Sequence, residues 1–311
     1  MADVGSPLLD IDVEGEEDES PLAIDKATDS SDVMHQITDN FDASVAAGPP
    51  RSVEVAPIVP QTNSDDKVVP LSPVQRSMFQ TMTEAVNIPH FLYTQVIDFT
   101  ELTSFRKRVA DGATQYEKGT KLSALPFVMK ALSKTIQQFP IVNSSIDTKS
   151  GLKHPAIIEK AAHNIGVAMD TPKGLVVPVV RNVQEHTVFS LNKELQRLRD
   201  LAAVGKLSSS DMSDATIVVS NIGSIGGHVV APVILPPTVM ILGVGRSREV
   251  PAFRKDKDGK DEIVKREEVV LSWSADHRVL DGATVAKAAQ KVGSYIENTK
   301  DLATDSKSWD T

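Results

Sequence analysis

"EEVVLSWSADHRVLDGATVAKAAQKVGSYIEN", residues 267–298, reads as a strand, a tight turn and a helix in unbroken succession. "EEVVLSWSADH" is rich in β-branched and aromatic residues and predicts a strand. "DHRVLDG" is the connection, and "DGATVAKAAQKVGSYIEN" predicts the last helix. Asp281 is placed to cap that helix, because a carboxylate accepts hydrogen bonds from the orphan N–H groups of a first turn. Gly282 relieves crowding beside it. The chain has seven histidines, and only His277 lies at a strand end that opens into a helix among charged residues. A neutral imidazole is suited to take a proton near neutral pH. Taken alone, a single histidine is more often structural, so proton transfer needs a second feature to support it.

That feature lies upstream. In "TIVVSNIGSIGGH", residues 216–228, a β-rich run ends at Ser220 and Asn221 and is followed by three glycines. The spacing is Gly-x-x-Gly-Gly, not the Gly-x-Gly-x-x-Gly of a dinucleotide fingerprint. The plain reading is a glycine turn. The functional reading is a rigid strand end that presents a hydroxyl and an amide to a bound acyl group.

Working outward, Ser72 and Pro73 predict a helix start, with Val74, Met78 and Met82 on one helical face. "HFLYTQVIDF" (90–99) alternates and predicts a strand, and "TELTSFRKRVADGATQYEKG" (100–119) predicts a helix opened by a Thr cap. "SALPFVMKALSKTIQQFP" (123–140) is a largely apolar, buried helix. "IVNSSID", "AAHNIGVAMD" and "LVVPVV" predict strands, followed by the helix "SLNKELQRLRDLAAVGK" and the strands "ATIVVSNIG" and "TVMILGVGR". Helices and strands mix without a strict βαβ period. The expected fold is therefore α/β: a two-layer mixed sheet covered by helices rather than a doubly wound one.

Composition excludes several chemistries. Without cysteine there is no disulfide, thiolate zinc site or cysteine nucleophile. HExxH and P-loop patterns are absent, and the most apolar run, "VVAPVILPPTVMILGVG" (229–245), carries three prolines and predicts buried strands and turns rather than a membrane span. The net charge of −9 is unevenly distributed. Residues 1–66 hold 16 acidic and 2 basic residues, a net −14, which leaves +5 on the rest. No basic stripe interleaved with aromatics appears, so neither nucleic acid nor membrane is an expected partner. "MADVGSPLLD" is neither basic nor Arg-rich, so it is not a targeting peptide as written.

The two stretches together, in this order, resemble the catalytic domain of the dihydrolipoamide acyltransferases of 2-oxo acid dehydrogenase complexes. The family's His-Arg-x-x-Asp-Gly is present from His277 to Gly282, and its strand-end Ser-Asn as Ser220-Asn221. "SNIGSIGG", "SWSADHRV", "IPHF" (88–91) and "HNIGVAMDT" (163–171) look most like the branched-chain member. The resemblance covers residues 68–303. It implies His277 as general base, Ser220 as donor to the oxyanion, and Asp281 holding the site through an ion pair with an arginine. It also implies coenzyme A contacts at Arg108, Ser123, Asp170, Asn221 and Gly245, coenzyme A being a substrate. Arg199, in "LQRLRDL", departs from the neutral polar group expected there.

The resemblance further implies a chloramphenicol-acetyltransferase-like, trimer-forming fold. His and Ser would meet across a subunit boundary, and a homotrimer would build into a 24-subunit cubic core. "VGSPLLDIDVE" resembles the last strands of a lipoyl domain without its lipoyl lysine, so lipoate is expected on lipoyl domains of other chains. The expected organisation is a lipoyl remnant (1–13), an acidic disordered linker (14–67) with no peripheral-subunit-binding module, the catalytic domain (68–303) and a tail (304–311). The implied compartment is the mitochondrial matrix in a eukaryote and the cytoplasm otherwise. A non-catalytic scaffold subunit and a stand-alone small-molecule acyltransferase are the competing readings, and the intact His277 and Ser220 motifs favour catalysis.

Overall fold

Helix α1 (Pro73–Ala85) begins where Ser72 and Pro73 predict. The Ser72 hydroxyl accepts from the Gln75 amide at 3.3 Å, and the Gln75 side chain accepts from the Ser72 amide at 2.9 Å, a reciprocal capping box. The computed structural model describes residues 65–111, 121–147 and 155–303. The expected lipoyl remnant, nearly all of the acidic linker and the C-terminal tail lie outside the described residues.

Strand β1 (His90–Asp98) alternates in exposure, with Phe91, Tyr93 and Ile97 turned to the core. In helix α2 (Thr100–Ala110) the expected Thr cap is not formed. Thr100 lies inside the first turn, and its hydroxyl accepts from the Glu267 amide at 2.9 Å instead, which ties the helix to the sheet. Helix α3 (Leu125–Ile136) is buried at every position but Lys134, as its apolar sequence predicts. Strands β2 (Ser144–Asp147) and β3 (Ala156–Glu159) form a separate two-stranded sheet, with Ser145 of β2 also bridging to Thr238. Then come β4 (Ile165–Ala168), a short β5 (Val179–Val180) and helix α4 (Val188–Ala203), capped by Thr187. Strands β6 (Ile217–Asn221), β7 (Met240–Val244), β8 (Arg248–Lys255) and β9 (Asp261–Asp276) lead into helix α5 (Gly282–Glu297) and the short α6 (Lys300–Ala303).

The main sheet has the order β1-β9-β7-β6-β4-β5, with β8 on the first half of β9. Pairs β4–β6 and β6–β7 are parallel and the others antiparallel, so the sheet is mixed. Successive side chains on a strand point to opposite faces. Val167, Val219, Leu242, Leu271 and Trp273 turn to one face and pack with α3 and α5 in the main core. Each large side chain so buried stabilises the fold by about 1.5–3 kcal/mol relative to exposure. Val218 and Ile241 turn to the other face, where Ile234 covers them in a second, smaller cluster. The β8–β9 hairpin is unexpected. The strand predicted over 267–277 begins at Asp261, after a turn whose Gly259 adopts φ +79°.

Candidate active site

The connection from β9 to α5 is pinned from both ends. The Asp276 amide donates to the Val239 carbonyl at 2.8 Å, and the Asp276 carbonyl accepts from Val279 and Leu280 at 3.1 and 3.0 Å. The buried Asp276 carboxylate grips Arg278: Oδ1 accepts from the Arg278 amide at 3.0 Å and from Nε at 2.9 Å, and Oδ2 accepts from the guanidinium Nη2 at 2.6 Å. This bonding raises the Arg278 pKa above its ordinary value. His277 sits between the two partners, exposed, with its amide donating to the Pro89 carbonyl at 2.9 Å. Its ring stands edge-on to Phe91, centroid to centroid 5.0 Å. Among the described residues neither ring nitrogen has a hydrogen-bond partner.

Asp281 caps α5, its Oδ1 accepting from the Thr284 amide at 2.7 Å. That backbone bond holds the carboxyl below its ordinary pKa. The expected Asp281–arginine pair is not formed within the described residues; the ion pair of this motif joins Asp276 to Arg278. Gly282 allows a close approach: a Cβ there would lie a tight 3.1 Å from the Phe91 ring that flanks His277.

Ser220 is the next-to-last residue of β6, in register with Ala168 of β4 and Gly243 of β7. It is half-buried, and among the described residues its hydroxyl takes no hydrogen-bond partner. It lines a cavity of about 910 Å³ with Val218 and Ile241 on the sheet face opposite the main core. The Asn221 side chain accepts from the Gly223 amide at 3.2 Å and stiffens the turn. The loop is locked backbone to backbone against the end of β7. The Ile222 and Gly223 amides both donate to the Val244 carbonyl at 3.1 Å, and the Arg246 amide donates to the Gly227 carbonyl at 2.7 Å. A Cβ on Gly245 would overlap the His228 carbonyl, so only glycine fits.

Asp170 is exposed two residues past the end of β4, so Asp170, Asn221 and Gly245 gather at one end of three adjacent parallel strands. Arg108 and Ser123 lie elsewhere, on α2 and just before α3. Arg106 donates to the Leu122 carbonyl at 2.7 Å and joins those two neighbourhoods. Arg108 is exposed and paired with Glu101 at 3.1 Å, and the Ser123 amide donates to Asn192 at 3.4 Å. Ser220 and His277 are not brought together within the chain. Gly243 pairs with both Ser220 and Ser272, and His277 follows Ser272 by five residues on the far side of β7. At ~3.3 Å per residue along a strand and ~4.8 Å between strands, His277 stands roughly 19 Å from Ser220. Sequence reasoning gave no role to Asp276 or Phe91. A carboxylate two residues before an arginine was the available signal for the first; nothing local marks the second.

The chain belongs to the 2-oxoacid dehydrogenases acyltransferase (catalytic domain) family, whose model matches residues 63–304. It is 43% identical over 242 residues to the lipoamide acyltransferase component of the branched-chain alpha-keto acid dehydrogenase complex, mitochondrial, of Bos taurus, covering 78% of this chain and 48% of that protein. It is 42% identical over 248 residues to the protein of the same description in Mus musculus, covering 80% of this chain and 49% of that protein. The chain thus spans about half the length of these curated relatives. The fold matches a probable dihydrolipoamide acetyltransferase of Listeria monocytogenes with a TM-score of 0.68 at 29% identity, covering 78% of this chain and 98% of that one. It also matches the dihydrolipoamide acetyltransferase of Azotobacter vinelandii with a TM-score of 0.67 at 32% identity, covering 79% and 99%. In that enzyme a serine, a histidine and an asparagine have been examined for roles in the catalytic mechanism.

Proposed function

We propose that the protein transfers a branched-chain acyl group between dihydrolipoamide and coenzyme A, at sites shared between subunits of a homotrimer. The separation of roughly 19 Å between Ser220 and His277 within one chain carries the subunit sharing, because one thioester carbonyl cannot touch both. The motif residues and the branched-chain relatives support the chemistry.

The thiol of coenzyme A attacks the carbonyl of the acyl-dihydrolipoamide thioester. His277 removes the thiol proton as the new C–S bond forms. Negative charge develops on the carbonyl oxygen and is met by the Ser220 hydroxyl of the neighbouring subunit, an oxyanion donor held by the β6 strand end. The tetrahedral intermediate collapses, the old C–S bond breaks, and His277 returns its proton to the departing dihydrolipoyl thiolate. No covalent acyl-enzyme is needed, so a chain without cysteine suffices. Asp281 holds the turn through the start of α5. Asp170, Asn221 and Gly245 form one part of the coenzyme A surface, and Arg108 and Ser123, which lie elsewhere on the chain, form another. Lipoyl groups arrive on lipoyl domains. Trimers assemble into a 24-subunit cubic core; a cubic core is described for a homologous pyruvate dehydrogenase complex. These relatives are mitochondrial, which supports the mitochondrial matrix as the compartment in a eukaryote and the cytoplasm otherwise.

Complementation tests this. His277→Ala and Ser220→Ala chains are each assayed with an acyl-CoA and free dihydrolipoamide, then unfolded, mixed equally and refolded together. Each alone is inactive, and the mixture recovers about a quarter of wild-type activity, the share of interfaces where an intact His meets an intact Ser under random trimer assembly. A mixture as inactive as its parents, or a fully active monomer, overturns the shared site.

A further inference from the structure

The stripe Val74, Met78 and Met82 on one face of α1 has no part in the chemistry above, yet it faces the site. The cavity that Ser220 lines has α1 as one of its walls, through Pro73, Val74, Ser77, Met78, Thr81 and Met82. The two sides differ in burial. On the sheet side Val218 and Ile241 are 1% and 4% exposed and are packed with Ile234. On the helix side α1 buries only Ala85, and Met78 is 47% exposed. The wall that can adjust is therefore the one made of methionines, whose unbranched, polarisable side chains fill irregular apolar space.

We propose that Met78 and Met82 determine which acyl chains the enzyme accepts. The inference rests on Ser220 as the oxyanion donor. A carbonyl oxygen held by that hydroxyl leaves its alkyl chain to enter the apolar cavity behind it. The cavity lies between the sheet and α1, so an alkyl chain that runs from Ser220 across it meets Met78 and Met82. Removing methionine side chains makes room for longer chains, and enlarging them excludes branched chains in favour of acetyl.

The test compares kcat/KM for acetyl-CoA, isobutyryl-CoA and hexanoyl-CoA with free dihydrolipoamide. Proteins are the wild type, Met78→Ala/Met82→Ala, Met82→Phe, and Phe79→Ala as control, Phe79 being 63% exposed and outside the cavity lining. Since α1 contributes little to the core, all four should melt alike. The double alanine variant should shift the hexanoyl-to-isobutyryl ratio about tenfold upward, and Met82→Phe should shift the acetyl-to-isobutyryl ratio about tenfold upward, the scale of a methylene or two in an apolar pocket. Unchanged ratios in both, or an equal shift in Phe79→Ala, overturn the methionine wall while leaving acyl transfer intact. A wild-type chain that transfers none of the three groups overturns acyl transfer itself, and this proposal with it.

Discussion

Asp276 and Arg278 close a bidentate ion pair around His277, with the carboxylate buried and the guanidinium half-exposed. The pair fixes the residues on either side of the proposed base, so the turn cannot swing without breaking it. Asp276→Asn keeps the shape but removes the charge and one set of strong bonds. Discounted for the exposed arginine, the loss of stability should be about 1–2 kcal/mol. Turnover should fall about tenfold or more while the KM for coenzyme A stays within twofold, because the imidazole loses its position and the substrate surface does not. Thermal melting and steady-state kinetics measure both, and unchanged turnover in a destabilised protein would confine Asp276 to folding.

His277→Ala should lower turnover by about 10²–10⁴-fold, the usual loss when a general base is removed. Coenzyme A binding, followed by calorimetry, should change little, because the proposed contacts lie on other elements. A variant within threefold of wild type would remove His277 from the mechanism.

Ser220→Ala should cost about 10²–10³-fold in turnover, as for one lost oxyanion donor. The site tolerates the change structurally, since among the described residues the hydroxyl bonds to nothing. A loss expressed mainly as weaker coenzyme A binding would make Ser220 a substrate contact instead.

How far the sequence could be read follows from where each signal lies. The Ser72–Pro73 cap, the buried α3 and the alternating β1 carry local signals, and all three form as expected. The β8–β9 hairpin was not legible, because Arg248–Lys255 and residues 261–266 group their charged and apolar side chains in blocks without the strict alternation of a half-buried strand, on a ribbon whose two faces are both largely exposed. Thr100 resembles a cap, but its hydroxyl serves Glu267, 167 residues away, a partner no local pattern announces. The strand-end serine and the turn histidine were visible as motifs. Their separation within one chain is implied only by the family resemblance; no local pattern shows it, because it depends on β7 lying between β6 and β9.

His163 is buried at the start of the β4 segment, its Nδ1 paired with the Ser133 hydroxyl at 2.8 Å and its amide donating to Gln184 at 3.0 Å. Lys130, also buried, donates to the Gln184 and His186 carbonyls at 3.2 and 2.7 Å. Burial first, and the Lys130 charge second, push the His163 pKa below its ordinary value. The unfolded chain therefore binds a proton at this position more readily than the folded one. The corresponding stability is fully present above the unfolded pKa of ~6.5 and is lost as pH falls from there through the depressed folded pKa. Wild-type melting temperature should drop across that window, and His163→Asn should show a shallower drop on top of any uniform loss from the broken Ser133 bond. The difference between the two slopes isolates His163 from the carboxylates that both proteins share. Equal slopes from pH 7 to pH 5 would show that His163 titrates alike folded and unfolded, and that burial beside Lys130 does not disfavour its charge.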